Sequence, residues 1–280
     1  IYKGQFLVSL EEDWAPEGQP DSFKSGDLVA FDVEAFLETR TLPTVSLVFH
    51  PDATQAVNGV AIAKGAALLS INDNVVGRVM RLEPGADGWT HVPIDLPGTG
   101  QAGIAFSDEH EEAVFLNYED FLTPDSLLSY DIRTGDVTSL KSLPGKFDAS
   151  DLKVEQFFAT SRDGTKVPYF IVHKADMPFD ASTPTLLYGY GGFQVSMNPS
   201  YSPVTGRLWL EQGGAYVLAN IRGGGEFGPA WHQAGLKLNR QRVYDDFIAV
   251  GEDLISRKIT RSEHLGIMGG SNGGLLMGVM

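Results

Sequence analysis

The sequence predicts two folds in tandem: an all-β region over 1–147 and an α/β region over 148–280 whose sheet is doubly wound and mostly parallel. Three observations predict it. Residues 1–147 are short apolar stretches broken by Gly, Asp, Asn and Pro, with almost no helical periodicity, the pattern of strands at regular spacing. From residue 185 onward, apolar runs alternate with helical patterns, which implies parallel strands joined by crossover helices. Three glycine-rich loops each follow a strand of this second region, so all three belong on one edge of its sheet.

Within the first region, Phe31-Asp32-Val33 lies 99 positions before Tyr130-Asp131-Ile132, and "GRVMRLE" (77–83) stands midway. Each follows a strand-like segment, "FLVSLEEDW" (6–14), "ALLSINDN" (67–74) and "AVFLNYED" (113–120). A repeat of about 50 residues is the length of one four-stranded propeller blade. Thr134-Gly135-Asp136 supplies a hairpin turn before an outermost strand. The region therefore reads as a partial β-propeller of about three blades, fewer than the ~4–8 that close a ring. A β-sandwich with accidental similarity is the alternative.

"LPGKFDASD" (143–151) is a polar hinge, after which "VEQFFATSRDGTKVPYFIVHK" (154–174) reads as a hairpin turning at Arg162-Asp163-Gly164. "TLLYGY" (185–190) and "AYVLANI" (215–221) are buried strands, and "SPVTGRLWLEQ" (202–212) is a helix stopped by Gly213-Gly214. The clearest helix is 240–258, where Val243, Phe247, Val250, Leu254 and Ile255 recur at three- and four-residue steps. Asp245 and Asp246 near its start read as helix-dipole and salt-link residues. "HLGIMGG" (264–270) is a further strand, and "NGGLLMGVM" enters another helix.

Composition bounds the chemistry. Acidic residues outnumber Lys and Arg 36 to 21, for a net charge of −15, which argues against a nucleic-acid or polyphosphate partner. Cysteine is absent, which removes disulfides and thiolate chemistry and leaves the compartment open. No apolar run approaches the ~20 residues that span a bilayer, so no membrane partner is expected. None of the histidine pairs has zinc-ligand spacing, so no metal is expected either. The chain opens at Ile1 on a strand already in progress, and earlier residues are expected to precede it.

Gly269-Gly270-Ser271-Asn272-Gly273 fits Gly-x-Ser-x-Gly between a strand and a helix. In such an elbow the serine occupies a strained turn and its flanks must be small, while the amide after it, that of Asn272, faces a developing oxyanion. A structural glycine turn is the bland reading. Gly223-Gly224-Gly225-Glu226-Phe227-Gly228 formally fits a dinucleotide fingerprint, but Asp245, 20 residues past Gly225, falls inside a helix instead of ending a strand.

"LLYGYGGF" (186–193), "NIRGGGEFGPAWHQAG" (220–235), "YDDF" (244–247) and "GGSNGGLL" (269–276) stand in the order and spacing of the prolyl oligopeptidase family, and "ATSRDGTKVPYFIVHK" (159–174) resembles the opening of that family's catalytic domain. The resemblance is strong over 154–280. It implies a propeller followed by an α/β-hydrolase domain, with Ser271 as nucleophile, the Tyr190 hydroxyl and Asn272 amide as oxyanion donors, and Phe193 lining a proline pocket. Asn272 favours the prolyl branch over oligopeptidase B, which usually carries Ala there. The implied activity is cleavage of short peptides after proline through an acyl-enzyme, by a monomer that uses no cofactor.

After Ser271 come only Asn, Gly, Leu, Met and Val, although an α/β hydrolase needs an acid and then a histidine downstream. All six histidines, His50, His91, His110, His173, His232 and His264, lie upstream, and His232 reads as a loop or packing residue. The chain thus reads as an internal fragment, truncated after the elbow and inactive by itself. Two other readings stay open: another specificity on the same fold, and a propeller–hydrolase scaffold without catalysis.

Overall fold

The computed structural model describes residues 1–86 and 88–280. The chain divides into two compact units, one made of Ile1–Tyr118, Asp125–Ser142 and Phe227–Ala230, the other of Glu119–Pro124, Leu143–Glu226 and Trp231–Met280.

The first unit holds three antiparallel sheets. Strands β1 (Gln5–Ser9), β2 (Leu28–Asp32) and β3 (Ser46–Phe49) form one in that order. Strands β4 (Gln55–Ala63), β5 (Ala66–Asp73), β6 (Val76–Gly85) and β7 (Gly88–Pro93) form the second, and β8 (Gln101–Phe106), β9 (Ala113–Glu119), β10 (Ser126–Asp131) and β11 (Val137–Ser142) the third. Each of the three segment pairs of the sequence repeat falls on two consecutive antiparallel strands, β1–β2, β5–β6 and β9–β10. These are successive propeller-blade sheets, and they do not close into a ring.

Period-two alternation decides how the blades pack. In β5, Ala67, Leu69 and Ile71 enter a core with Leu28, Ala30 and Val48, while Leu68, on the opposite face, joins Val114, Leu116 and Leu128 in a second core. The strand is therefore buried without a break from Ala66 to Asn72, the polar Ser70 and Asn72 included, as one covered on both faces should be. The outer strands β7 and β11 are mostly exposed. Two repeat aspartates end their strands the same way: Asp32 accepts from the Ala35 amide at 2.8 Å and Asp131 from the Thr134 amide at 3.1 Å. After Asp32 that cap starts α1 (Val33–Thr39), a helix the strand pattern did not predict.

In the second unit, β12 (Leu152–Thr160), β13 (Lys166–Lys174), β14 (Thr185–Tyr188), β15 (Ala215–Ala219) and β16 (Leu265–Met268) form one sheet in the order β12-β13-β15-β14-β16. The β12–β13 and β13–β15 pairs are antiparallel, whereas β14 runs parallel to both β15 and β16. The chain passes from β14 to β15 on one side and returns to β16 on the other, so the strand order reverses at β14, the place where open α/β sheets bind ligands. The first crossover contains α2 (Pro203–Thr205) and a π turn over Gly206–Leu210. The sequence predicted one regular helix here, but wider hydrogen bonds replace it, as in the Glu211 amide donating to the Gly206 carbonyl at 3.0 Å.

The return crossover carries α3 (Gly228–Gln233) and α4 (Gln241–Ser256), and α5 (Asn272–Val279) follows β16. Val243, Phe247, Val250 and Leu254 of α4 and Leu276 of α5 pack on the sheet face of Tyr169, Ile171, Leu187 and Val217. Ile255, predicted on the apolar stripe, is 40% exposed because it lies about 100° around the helix from Leu254. Asp246 is instead part of the buried stripe.

Candidate active site

Three loops leave the carboxyl ends of the parallel strands β14, β15 and β16, beginning at Gly189, Asn220 and Gly269. They touch through backbone, and glycine permits it. A Cβ on Gly273 would stand 2.5 Å from the Gly189 carbonyl oxygen, and one on Gly269 would stand 2.6 Å from the Gly273 oxygen. Gly270 has no heavy atom within 4 Å of such a Cβ, so the demand for smallness before Ser271 rests on Gly269 alone.

Ser271 has φ 52° and ψ −117°, a backbone region that costs a non-glycine residue about 1–3 kcal/mol and persists only where its surroundings impose it. The residue is exposed, and its hydroxyl neither caps α5 nor hydrogen-bonds any histidine or carboxylate among the described residues. Asn272 opens α5, so its backbone amide has no partner within the helix. Its side chain donates from Nδ2 to the Tyr190 carbonyl at 2.6 Å. Ser271, Asn272 and the Tyr190 backbone are thus brought together, and the half-buried Tyr190 keeps its own hydroxyl free of hydrogen bonds among the described residues. Phe193 follows on the same loop with φ 55° and is 75% exposed.

Several residues that build this edge carried no role in the sequence reading. Arg240, immediately before α4, donates from Nη1 to the Gly191 carbonyl at 2.7 Å and from Nη2 to Asn272 Oδ1 at 3.1 Å. Arg222, at the end of the second buried run, is clasped by Asp246 (Nη2 to Oδ1, 2.6 Å) and Asp163 (Nη1 to Oδ2, 2.6 Å). This hydrogen bond to Arg222 holds the Asp163 carboxyl well below the usual carboxylate range. Asn220 and Glu226 grip Met197 by both backbone groups, Asn220 Nδ2 donating to its carbonyl at 2.6 Å and Glu226 Oε1 accepting from its amide at 3.0 Å. Burial pushes the Glu226 carboxyl up to about 7. Asp246, read from the sequence as a salt-link residue, is one, and its spacing from Val243 and Phe247 puts its charge on the apolar stripe, where Arg222 is the buried partner.

The second glycine loop is committed to packing against the first. A Cβ at Gly223 would lie 2.6 Å from the Gly191 oxygen and one at Gly225 2.2 Å from the Gln194 oxygen, while Asp245 accepts from Gln241 on the exposed side of α4. Nothing there resembles a pyrophosphate cradle. His232 Nδ1 lies 2.7 Å from the Gly223 carbonyl, a contact that fits the expected loop role.

Blade sheets joined to a mixed sheet with a Gly-x-Ser-x-Gly turn at its switch point define a propeller-bearing α/β-hydrolase fold. The family model for the N-terminal beta-propeller domain of prolyl oligopeptidase matches residues 12–142, and the prolyl oligopeptidase family model matches residues 199–280. The chain belongs to the prolyl oligopeptidase family. It is 50% identical over 278 residues to an "Uncharacterized peptidase y4nA" of Sinorhizobium fredii, a match covering 99% of this chain and 38% of the relative. It is 40% identical over 185 residues to the "Prolyl endopeptidase" of Elizabethkingia meningoseptica, covering 66% of this chain and 26% of that one. The solved "Post-proline cleaving enzyme from Rickettsia typhi" superposes with a TM-score of 0.89 at 38% identity, covering 100% of this chain and 40% of that one. The chain therefore spans well under half the length of the relatives it matches.

Proposed function

We propose that the full-length protein is a serine peptidase that cleaves short peptides on the carboxyl side of proline. The Ser271 hydroxyl oxygen attacks the scissile carbonyl carbon while a histidine outside residues 1–280 takes its proton, and the carbonyl electron pair moves onto oxygen. The Tyr190 hydroxyl and the Asn272 amide donate to that oxyanion. Collapse of the tetrahedral intermediate expels the amine, which takes the proton, and water then hydrolyses the acyl-enzyme. Phe193 offers a flat apolar face to the proline ring. The chemistry needs no cofactor, and the protein acts as a monomer.

The observation that carries this reading is the meeting of two loops at the switch point, where the Asn272 side chain binds the Tyr190 carbonyl beside the strained Ser271 turn, with the Ser271 and Tyr190 hydroxyls unengaged among the described residues. The relatives described as post-proline cleaving enzyme and prolyl endopeptidase support the specificity. The test is turnover by the full-length protein of a proline-terminated fluorogenic peptide against an arginine-terminated one, with Ser271→Ala as control. Proline preference that vanishes in Ser271→Ala is expected. Arginine preference would overturn the specificity, and turnover that survives Ser271→Ala would overturn the nucleophile. The 280-residue chain alone is expected to resist labelling of Ser271 by a fluorophosphonate, and stoichiometric labelling would mean that an upstream histidine serves as base.

A further inference from the structure

Arg240 is an arginine without an acid. It is half-buried, stands over the Tyr244 ring at 5.4 Å, and forms no ion pair among the described residues. Its guanidinium is committed to neutral acceptors, the Gly191 carbonyl (2.7 Å) and Asn272 Oδ1 (3.1 Å), with a longer contact from Nε to the Tyr244 hydroxyl (3.4 Å). A side-chain amide has one accepting and one donating end, so fixing the oxygen of Asn272 toward Arg240 turns its Nδ2 toward the Tyr190 carbonyl, which it meets at 2.6 Å. Rotated by half a turn, the same amide would set oxygen against oxygen at Tyr190. Arg240 thus selects the orientation in which Asn272 binds the β14 loop, and through Gly191 it also holds that loop directly.

We infer that Arg240 is a positioning residue for catalysis: it fixes, through Asn272 and Gly191, the relative placement of the two oxyanion donors, the Tyr190 hydroxyl and the Asn272 amide. The inference rests on the serine-peptidase reading above. It makes the oxyanion site a device assembled from three separate loops, with the guanidinium as the common tie. Because the donors act most strongly on charge that develops in the transition state, their misplacement should lower kcat and leave ground-state peptide binding nearly intact.

The test uses the full-length protein and a proline-terminated fluorogenic peptide. Arg240→Met is expected to lower kcat about 10- to 100-fold with KM within about twofold, the scale of a misplacement of about 1 Å in a catalytic group. Affinity for a peptide aldehyde, whose hemiacetal oxygen occupies the oxyanion site, should fall by the same factor, and affinity for a product peptide should not change. Arg240→Lys should recover part of kcat, since an ammonium can reach one acceptor but lacks the planar fork that spans both. Asn272→Ala cuts the same connection from the other end, so the Arg240→Lys/Asn272→Ala double variant should lose less than the product of the two single losses. That cycle decides the matter even if Arg240→Met does not fold. Unchanged kcat, a loss confined to KM, unaltered aldehyde affinity, or multiplicative losses in the cycle would each overturn the inference. If Ser271→Ala abolishes and Tyr190→Phe impairs turnover while Arg240 variants stay active, only this inference fails; if Ser271→Ala stays active, the serine-peptidase reading fails with it.

Discussion

Two arginines of the second unit make opposite use of the same side chain. Arg222 is 5% exposed and enclosed by two carboxylates, Asp246 fully buried and Asp163 at 41% exposure, with the Ser161 hydroxyl at 3.3 Å. It ties the turn of the β12–β13 hairpin to the end of β15 and to α4, all framework. Among the described residues Arg240 holds no carboxylate, and it binds the loops beside the strained Ser271 turn. The difference teaches how to sort buried cations. Charge neutralised by charge serves stability, while charge left on neutral acceptors beside a strained turn serves geometry there.

The largest expected effect comes from breaking the neutralised member. Arg222→Met leaves Asp246 buried and unpaired, which should destabilise the domain by about 3–5 kcal/mol, whereas Asp163→Asn, at the half-exposed end, should cost about 1 kcal/mol. The shift in urea midpoint checks both, and equal losses would erase the asymmetry between the two carboxylates.

A smaller effect is expected on acidification. Because Arg222 lowers the Asp163 pKa in the folded state, the contribution of the pair is fully present above the ordinary carboxylate pKa of about 4 and is lost as pH falls below it. Asp163→Asn should flatten the acid limb of a stability–pH curve; an unchanged limb would mean that other carboxylates govern it.

Glu226 gives an effect of the opposite sign. Its folded pKa of about 7 lies above the ordinary glutamate value, so its contribution is fully present below about pH 4 and is lost as pH rises through 7. Glu226 Oε2 and Asn220 Oδ1 are both buried acceptors without partners among the described residues, a setting that suits the protonated acid. Glu226→Gln should remove the slope in melting temperature between about pH 4.5 and 7 and make the variant relatively more stable above pH 7. A slope that persists in the variant would place the titration elsewhere.

Much of the framework was legible in the sequence because it is periodic. The repeat located β2, β6 and β10, and the stripe from Val243 to Leu254 gave α4. The elbow was legible too, since a serine between strand and helix among obligatory glycines leaves a local signature. Arg240 was not. Its acceptors are the Gly191 carbonyl, a group every residue carries, and an amide 32 positions away, so no spacing announces them. The π turn after α2 was hidden for a related reason: Gly206 lies against the ring of Phe147, and that crowding comes from tertiary packing, not from local propensity. Ile255 was misplaced by reading two adjacent apolar residues as one stripe.

Strand β5 has a consequence of another kind. Its Ala67, Leu69 and Ile71 are stitched into a core with the first sheet and its Leu68 into a core with the third, so the middle sheet shares a seam with each neighbour instead of merely touching it. Peeling any one sheet away uncovers an apolar surface that belongs to its neighbour, and the blades are therefore expected to melt together, as a single domino that cannot fall halfway.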